Sequence, residues 1–315
     1  MDIRMNEIEF PPIIEFQTSS LCNAKCKICP YEVKQKKYAI QTMDDLMFEK
    51  IMCELDDNKQ YIKRVIPYMN NEPTLDIRLI DILRRLKLSN FFVELSTNFS
   101  GMTERLMASI VDEKLVDDLR ISFFGGDELT YKELMPGLNF AKTYELINKF
   151  VKINNNIIHT EIYTVMCPWI EKDNILNIQK LFPELQVHKL GYLDRAGNVE
   201  CQKNALLDSD SRFIFGCELY RPFERMCILA NGDAIICSQD WDREVILGNV
   251  FLTSIKDVWN GEIAREVRNT FREGKVINGD FICKRCKLAI IKREGDFYKN
   301  FLGDRYMSKD GKKMI

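Results

Sequence analysis

The sequence predicts an α/β fold: a partial, TIM-like (β/α)6 barrel followed by a small cysteine-bearing domain. Two observations carry this. From Ile13 to about residue 193, β-rich runs alternate with amphipathic helical stretches, and each return to a shared sheet across a helix-sized connection implies parallel strands. From about Gly197 the alternation stops and gives way to a hairpin signal, a helix and a C-x2-C pair.

IIEFQTS (13–19) reads as the first strand and runs directly into CNAKCKICP (22–30). Met43, Met47, Ile51 and Leu55 then recur every four residues, with Phe48 and Met52 beside them, which predicts a helix buried along one face. Thr42 and Asp45 fit a capping pair at its start. The same alternation gives strands at 62–68, 91–97, 118–124, 157–166 and 186–193, and helices at 75–88, 102–113, 139–152 and 172–182. Six such units are too few to close an eight-stranded barrel and enough for a curved, partly open one. Ligands in parallel folds gather at the carboxyl ends of the strands, where CNAKCKICP falls.

Residues 198–216 lack periodicity and read as a linker between a barrel at 1–197 and a second domain at 217–291. In that domain MCILA and AIIC flank Asn231-Gly232-Asp233, a strong hairpin signal. A helix is expected over 254–274, with Gly274 as its C-cap. CKRC follows at 283–286, and 292–315 is a polar, lysine-rich tail.

Charge excludes several partners. Forty-five basic and 47 acidic side chains nearly cancel, leaving a net charge of −2 and no global field for nucleic acid or an anionic membrane. The opening MDIRMNEIEF places Asp2, Arg4, Glu7 and Glu9 where a secretory signal needs an unbroken apolar run. No apolar stretch is long enough to span a bilayer, so a cytoplasmic protein is expected. In that reducing compartment the 11 cysteines point to metal ligation or packing rather than disulfides.

Cys22, Cys26 and Cys29 have the spacing C-x3-C-x2-C. Structural zinc sites want four closed ligands, usually as two C-x2-C pairs. An iron–sulfur cube needs only three protein ligands if its fourth iron is kept for a substrate. Lys25 and Lys27, interleaved with the thiols, argue against cysteines that merely pack. Cys53 falls on a predicted helix and reads as packing. His159 and His188, the only two histidines, lie within predicted strands and give little support to a histidine acid–base site.

CNAKCKIC resembles the C-x3-C-x2-C signature of the radical S-adenosylmethionine superfamily, in the family's position after the first strand. The resemblance implies a [4Fe-4S] cluster on Cys22, Cys26 and Cys29 whose open iron chelates S-adenosylmethionine, and cleavage to a 5′-deoxyadenosyl radical that abstracts a hydrogen atom. YMNNEPTLD (68–76) is similar to the family's Gly-Gly-Glu-Pro segment, with Asn70 and Asn71 in place of the glycines and Glu72 and Pro73 retained. STN (96–98) resembles the third-strand pair Thr97 and Asn98, and ISFFGG (121–126) the fourth strand with Ser122. Ile28, Asn70, Asn71, Glu72, Thr97, Asn98 and Ser122 are thereby implied as contacts to S-adenosylmethionine. A reductant protein such as flavodoxin or ferredoxin is implied as a partner.

Cys217, Gly232 and Cys237, followed by Cys283 and Cys286, are similar to the auxiliary-cluster domain called SPASM, or its shortened form, twitch. No cysteine follows Cys286, so one auxiliary [4Fe-4S] cluster on Cys217, Cys237, Cys283 and Cys286 is expected. Cys227 competes with Cys217 for the first position, and a zinc ribbon on Cys227, Cys237, Cys283 and Cys286 is the rival reading. Cys167 and Cys201 follow the fifth and sixth strands, where a thiol could donate a hydrogen atom; packing is the alternative. Asp127, Glu128, Asp194 and Arg195, with Asp240, are the polar residues expected near the barrel mouth and substrate.

Two reactions compete: oxidation of a sugar, aminocyclitol or similar metabolite with the auxiliary cluster as electron acceptor, and crosslinking or epimerisation of a ribosomally made peptide. With the first cysteine at residue 22, no room is expected for an N-terminal peptide-recognition domain, which favours the small substrate. A non-catalytic iron–sulfur or zinc protein is the third possibility.

Overall fold

A computed structural model describes residues 9–199, 214, 216–273 and 281–290. The tail, Gly274 and most of the 198–216 linker therefore lie outside the described residues. The barrel strands are β1 (Ile13–Phe16), β2 (Arg64–Ile66), β3 (Glu94–Thr97), β4 (Asp118–Ser122), β5 (His159–Met166) and β6 (Gln186–Gly191). All successive ladders are parallel: β1 with β2, β3 with β4, β4 with β5, and β5 with β6. A single parallel bridge, Val65 to Val93, joins β2 to the β3 side.

The connections carry α1 (Tyr31–Lys34), α2 (Asp45–Asp57), α3 (Leu79–Leu88), α4 (Glu104–Asp112), α5 (Glu128–Leu134), α6 (Phe140–Asn154) and α7 (Asn174–Leu181). On α2, Phe48, Ile51, Met52 and Leu55 are the buried residues, as the four-residue periodicity requires. Its cap is neither Thr42 nor Asp45. Asp44 takes extended backbone and accepts from Leu46 N at 2.9 Å, while Thr42 is engaged in a bridge with Ser19. Helix α3 starts at Leu79, later than expected, because a short 3₁₀ turn at Pro73–Leu75, capped by Glu72, comes first.

Then come β7 (Gly216–Cys217), α8 (Arg221–Glu224), β8 (Arg225–Ile228), β9 (Asp233–Ile235), β10 (Ile246–Asn249), α9 (Ile255–Trp259), α10 (Glu262–Glu273), α11 (Ile282–Arg285) and β11 (Ala289–Ile290). The hairpin β8–β9 forms where predicted. Gly232 in its turn has φ of +83°, and a Cβ there would stand 2.4 Å from the Phe251 ring, so both backbone freedom and space demand glycine. The helix expected at 254–274 is two helices, broken between Trp259 and Glu262.

Strand β8 also lies parallel to β1, from Ile13 opposite Arg225 to Phe16 opposite Ile228. The five-stranded order β10-β9-β8-β1-β2 thus extends the barrel wall on its β1 side. Cys217 starts from the separate β7–β11 pair.

Candidate active site

The loop after β1 is held by its backbone. Cys29 N donates to Cys26 O at 3.0 Å, and Cys22 N donates to the Tyr31 hydroxyl at 2.8 Å, which in turn donates to Ser20 O at 2.9 Å. Lys25 N and Lys27 N donate to Pro136 O and Leu134 O, tying the loop to the end of α5. Burial pushes the Cys22 thiol up to about 12, and raises Cys26 and Cys29 as well; for Cys22 and Cys26 the neighbouring thiols and Glu72 add to it. Buried thiols that resist ionisation are stabilised as thiolates by a cationic metal group.

The spacing of the thiols selects among such groups. Among the described residues, the three ligand atoms that lie within 4.8 Å of one another belong to Asp118, His159 and Glu161, and to no cysteine set. Thiolates on one zinc ion, at Zn–S of about 2.3 Å, stand less than about 4 Å apart. Cys22, Cys26 and Cys29 do not meet that mutual closeness, yet Cys22 feels Cys29, and Cys26 feels both Cys22 and Cys29, which suits a larger group such as a cube.

Glu72 is 3% exposed and faces this loop. Its Oε1 accepts from Thr97 Oγ1 at 2.5 Å and from Thr74 Oγ1 and N at 2.6 and 3.1 Å; its Oε2 accepts from Asn98 N at 2.7 Å. Burial raises its carboxyl despite these donors, so a cationic partner would stabilise the ionised form. Asn98 reaches the cysteine loop through Asn23 Oδ1 at 3.0 Å.

Asn70 has φ of +55°. That conformation suits glycine and, next to it, asparagine, which explains how Asn70 can stand at a glycine position. Its Nδ2 donates to Ser238 O at 3.2 Å. Asn71 Oδ1 accepts from Met69 N, but its Nδ2 is buried with no partner, a donor free for a bound group. Ile28 is buried and Ser122 half-buried at the end of β4.

The second cysteine set also converges. The Cys217 thiol is raised first by burial and then by Cys237; Cys283 by burial, then Cys286, Cys237 and Cys217; Cys286 by burial to about 12, with Cys237, Asp194 and Cys217 contributing. Cys227 is apart. It is fully buried on β8 beside Met69, Leu229 and Ile235, and its thiol stands 3.6 Å from Glu15 Oε2. Arg221 Nη1 lies 3.6 Å from Cys237 Sγ and also donates to Ser238 Oγ.

The other expected residues are scattered. Asp127 caps α5, accepting from Thr130 N at 2.9 Å, and Glu128 is exposed in that helix's first turn. Asp240 is 1% exposed and gives both oxygens to the amides of Glu244 and Val245 at 2.9 Å. Asp194 Oδ1 accepts from Ala196 N and Lys287 N. Cys167 is buried just after β5, Cys53 is exposed on α2, and Cys201 lies outside the described residues. Arg195 reaches both cysteine regions, with Nε 3.4 Å from Ile28 O and Nη1 3.5 Å from Gln239 Oε1. Tyr31, Gln239 and Arg221 escaped the sequence reading; Tyr31 and Gln239, each two residues beyond a cysteine, were within its reach.

No helix among the described residues is long and apolar enough to cross a membrane. Comparison with known proteins gives two family matches: the radical SAM superfamily over residues 16–177, and SPASM, an iron–sulfur cluster-binding domain, over 217–287. The S-adenosyl-L-methionine-dependent 2-deoxy-scyllo-inosamine dehydrogenase of Niallia circulans is 21% identical over 288 residues, covering 90% of this chain and 96% of that protein. The structure of BtrN in complex with AdoMet and 2-DOIA superposes with a TM-score of 0.55 at 16% identity, over 86% of this chain and 89% of its own. Streptococcus suis SuiB bound to precursor peptide SuiA gives 0.66 at 15% identity, over 89% of this chain and 70% of its own.

Proposed function

Since the chain belongs to the radical S-adenosylmethionine (radical SAM) superfamily, and is therefore an enzyme of radical chemistry, we propose that it is a dehydrogenase of a sugar, aminocyclitol or similar hydroxylated metabolite. The carrying observation is the second cysteine set. Cys217, Cys237, Cys283 and Cys286 share one electrostatic neighbourhood and supply four ligands for a cube, leaving none of its irons for substrate. Cys22, Cys26 and Cys29 would hold a cluster able to supply the reducing electron for cleavage of S-adenosylmethionine, and Cys217, Cys237, Cys283 and Cys286 would hold one able to take up the electron released on substrate oxidation. The dehydrogenase relative, matched along 96% of its length, supports the same substrate class.

In this reading the chain's own residues orient the sulfonium substrate. Glu72, fixed by Thr74, Thr97 and Asn98, holds the ammonium group. Asn71 Nδ2, buried without a partner, is placed in the same loop to donate to an acceptor of the same molecule, such as its carboxylate. Asn70 keeps that loop in its left-handed turn, Ile28 supplies an apolar wall, and Ser122 faces the site from β4. Arg195 steadies the cysteine loop against the Gln239 loop. A one-electron donor of the flavodoxin or ferredoxin type is the expected partner.

The test is anaerobic reconstitution to about eight irons per chain, reduction with S-adenosylmethionine, and incubation with 2-deoxy-scyllo-inosamine and a panel of related polyols. One oxidised carbonyl product per 5′-deoxyadenosine is expected. The likeness to peptide-bound SuiB favours a second reading, a peptide maturase. Release of 5′-deoxyadenosine with no polyol oxidised, together with mass loss or deuterium uptake in a co-encoded peptide, would replace the dehydrogenase with it.

A further inference from the structure

The barrel carries a second cluster of ligand-type side chains, at the end opposite the cysteine loops. We propose that Asp118, His159 and Glu161 bind a divalent cation of the zinc class there, independently of both iron–sulfur sites. Parallel register sets Asp118 beside His159, each the first residue of its strand, and Arg120 beside Glu161. Glu161 follows His159 by two residues on one face. Their ligand atoms all lie within 4.8 Å of one another.

Of the buried side-chain atoms without a partner, Asp118 Oδ1, His188 Nε2 and Arg120 Nε fall in this cluster, and the first is the oxygen a cation would take. Asp118 is 6% exposed; its Oδ2 accepts from Arg120 Nη2 at 2.8 Å and from Arg64 Nη1 at 3.4 Å, but its Oδ1 is buried with no partner. His188 Nε2, on β6, stands 2.9 Å from Glu161 Oε1 and yet makes no hydrogen bond. His159 Nε2 approaches the same oxygen from the other side, at 3.2 Å. Donor atoms around a four-coordinate zinc, at about 2.0–2.2 Å from the ion, stand about 3.3 Å from one another. Close nitrogen–oxygen approaches without hydrogen-bond alignment are what shared coordination produces.

The surrounding charges leave room for a cation. Arg64 and Arg120 pair with Glu94 as well as Asp118, so two guanidiniums face three carboxylates once Glu161 is included. Tyr163 donates to Glu161 Oε2 at 3.3 Å and stacks on the His188 ring at 5.0 Å, fixing both. Imidazole with carboxylate suits zinc and its late first-row neighbours. The His159 side chain is 62% exposed, which provides the entry path. Both histidines of the chain meet at this one carboxylate.

The experiment titrates Zn2+ into protein whose iron–sulfur sites are fully loaded, removes excess metal by desalting, and counts zinc and iron per chain. About one zinc is expected in the parent and a raised melting temperature with it. His159→Gln and Glu161→Gln should each lose the zinc and the thermal shift while keeping the iron content; His159→Gln alters an exposed side chain and so separates loss of the metal from loss of the fold, which the retained iron content checks. No stoichiometric zinc in the parent, or zinc retained in both variants, would overturn the proposal.

Discussion

Arg195 Nε lies 3.4 Å from the carbonyl oxygen of Ile28, inside the first cysteine motif. The same guanidinium interacts electrostatically with Cys29 and Cys26 on one side and with Cys237 on the other. One cation therefore sits between the two sets of thiols. Removing it leaves more uncompensated negative charge around any metal held there, which disfavours adding an electron. Arg195→Met should retain iron while lowering at least one reduction potential by about 60 mV, the one-electron equivalent of a tenfold change in equilibrium constant. An electron-paramagnetic-resonance redox titration measures it, and unchanged potentials would remove Arg195 from this role.

Cys217 and Cys227 should part company when replaced singly. Cys217 neighbours Cys237, Cys283 and Cys286 electrostatically, whereas Cys227, though it feels Cys237, packs among Met69, Leu229 and Ile235. Cys217→Ala is expected to lower iron from about eight to about four per chain. Cys227→Ala should keep the iron and lose about 1–2 kcal/mol of stability from the vacated core. Iron counts and denaturant melts separate the two, and the reverse pattern would make Cys227 the ligand.

Asn70 offers a test of backbone conformation. At φ of +55° a β-branched residue costs about 1–2 kcal/mol, and any replacement loses the bond to Ser238 O, worth about 1 kcal/mol. Asn70→Gly should bind S-adenosylmethionine within a few-fold of the parent. Asn70→Val should bind at least tenfold more weakly and melt lower. Equal binding by both variants would mean that the turn does not set the site.

The cysteine spacing was legible because a metal cube demands specific thiols in a short loop, and the strands because alternation with buried helices leaves a strong periodic trace. What escaped detection depends on distance or on a choice of face. The pairing of β8 with β1 joins Ile13 to Arg225, and no local pattern reports such a contact. Glu15 and Glu94 alternate with apolar neighbours as solvent-facing residues would, yet both are buried, as are Asp118 and Glu161. Period-two alternation shows which residues share a face and not which face turns inward. Asp44 prevailed over Thr42 and Asp45 as the α2 cap because Thr42 was committed to Ser19, a contact no propensity encodes. The Arg195 contacts, too, join loops that only the closed sheet brings together.

The buried thiols predict how metal-free protein responds to alkali. Burial holds Cys22 and Cys286 at about 12, whereas an unfolded cysteine ionises near about 8.5. The folded state thus binds these protons more tightly than the unfolded state does. That contribution is fully present below about 8.5 and is lost as pH climbs through the folded values. Metal-free protein should therefore melt at progressively lower temperature as pH rises from about 8.5 toward about 12, with Cys26, Cys29 and Cys283, also raised, steepening the fall. Loaded protein holds the same sulfurs as ligated thiolates and should lack this component. Anaerobic melting curves of both forms across that range measure the difference. Parallel slopes for the two would mean that the thiols are already ionised in the metal-free fold.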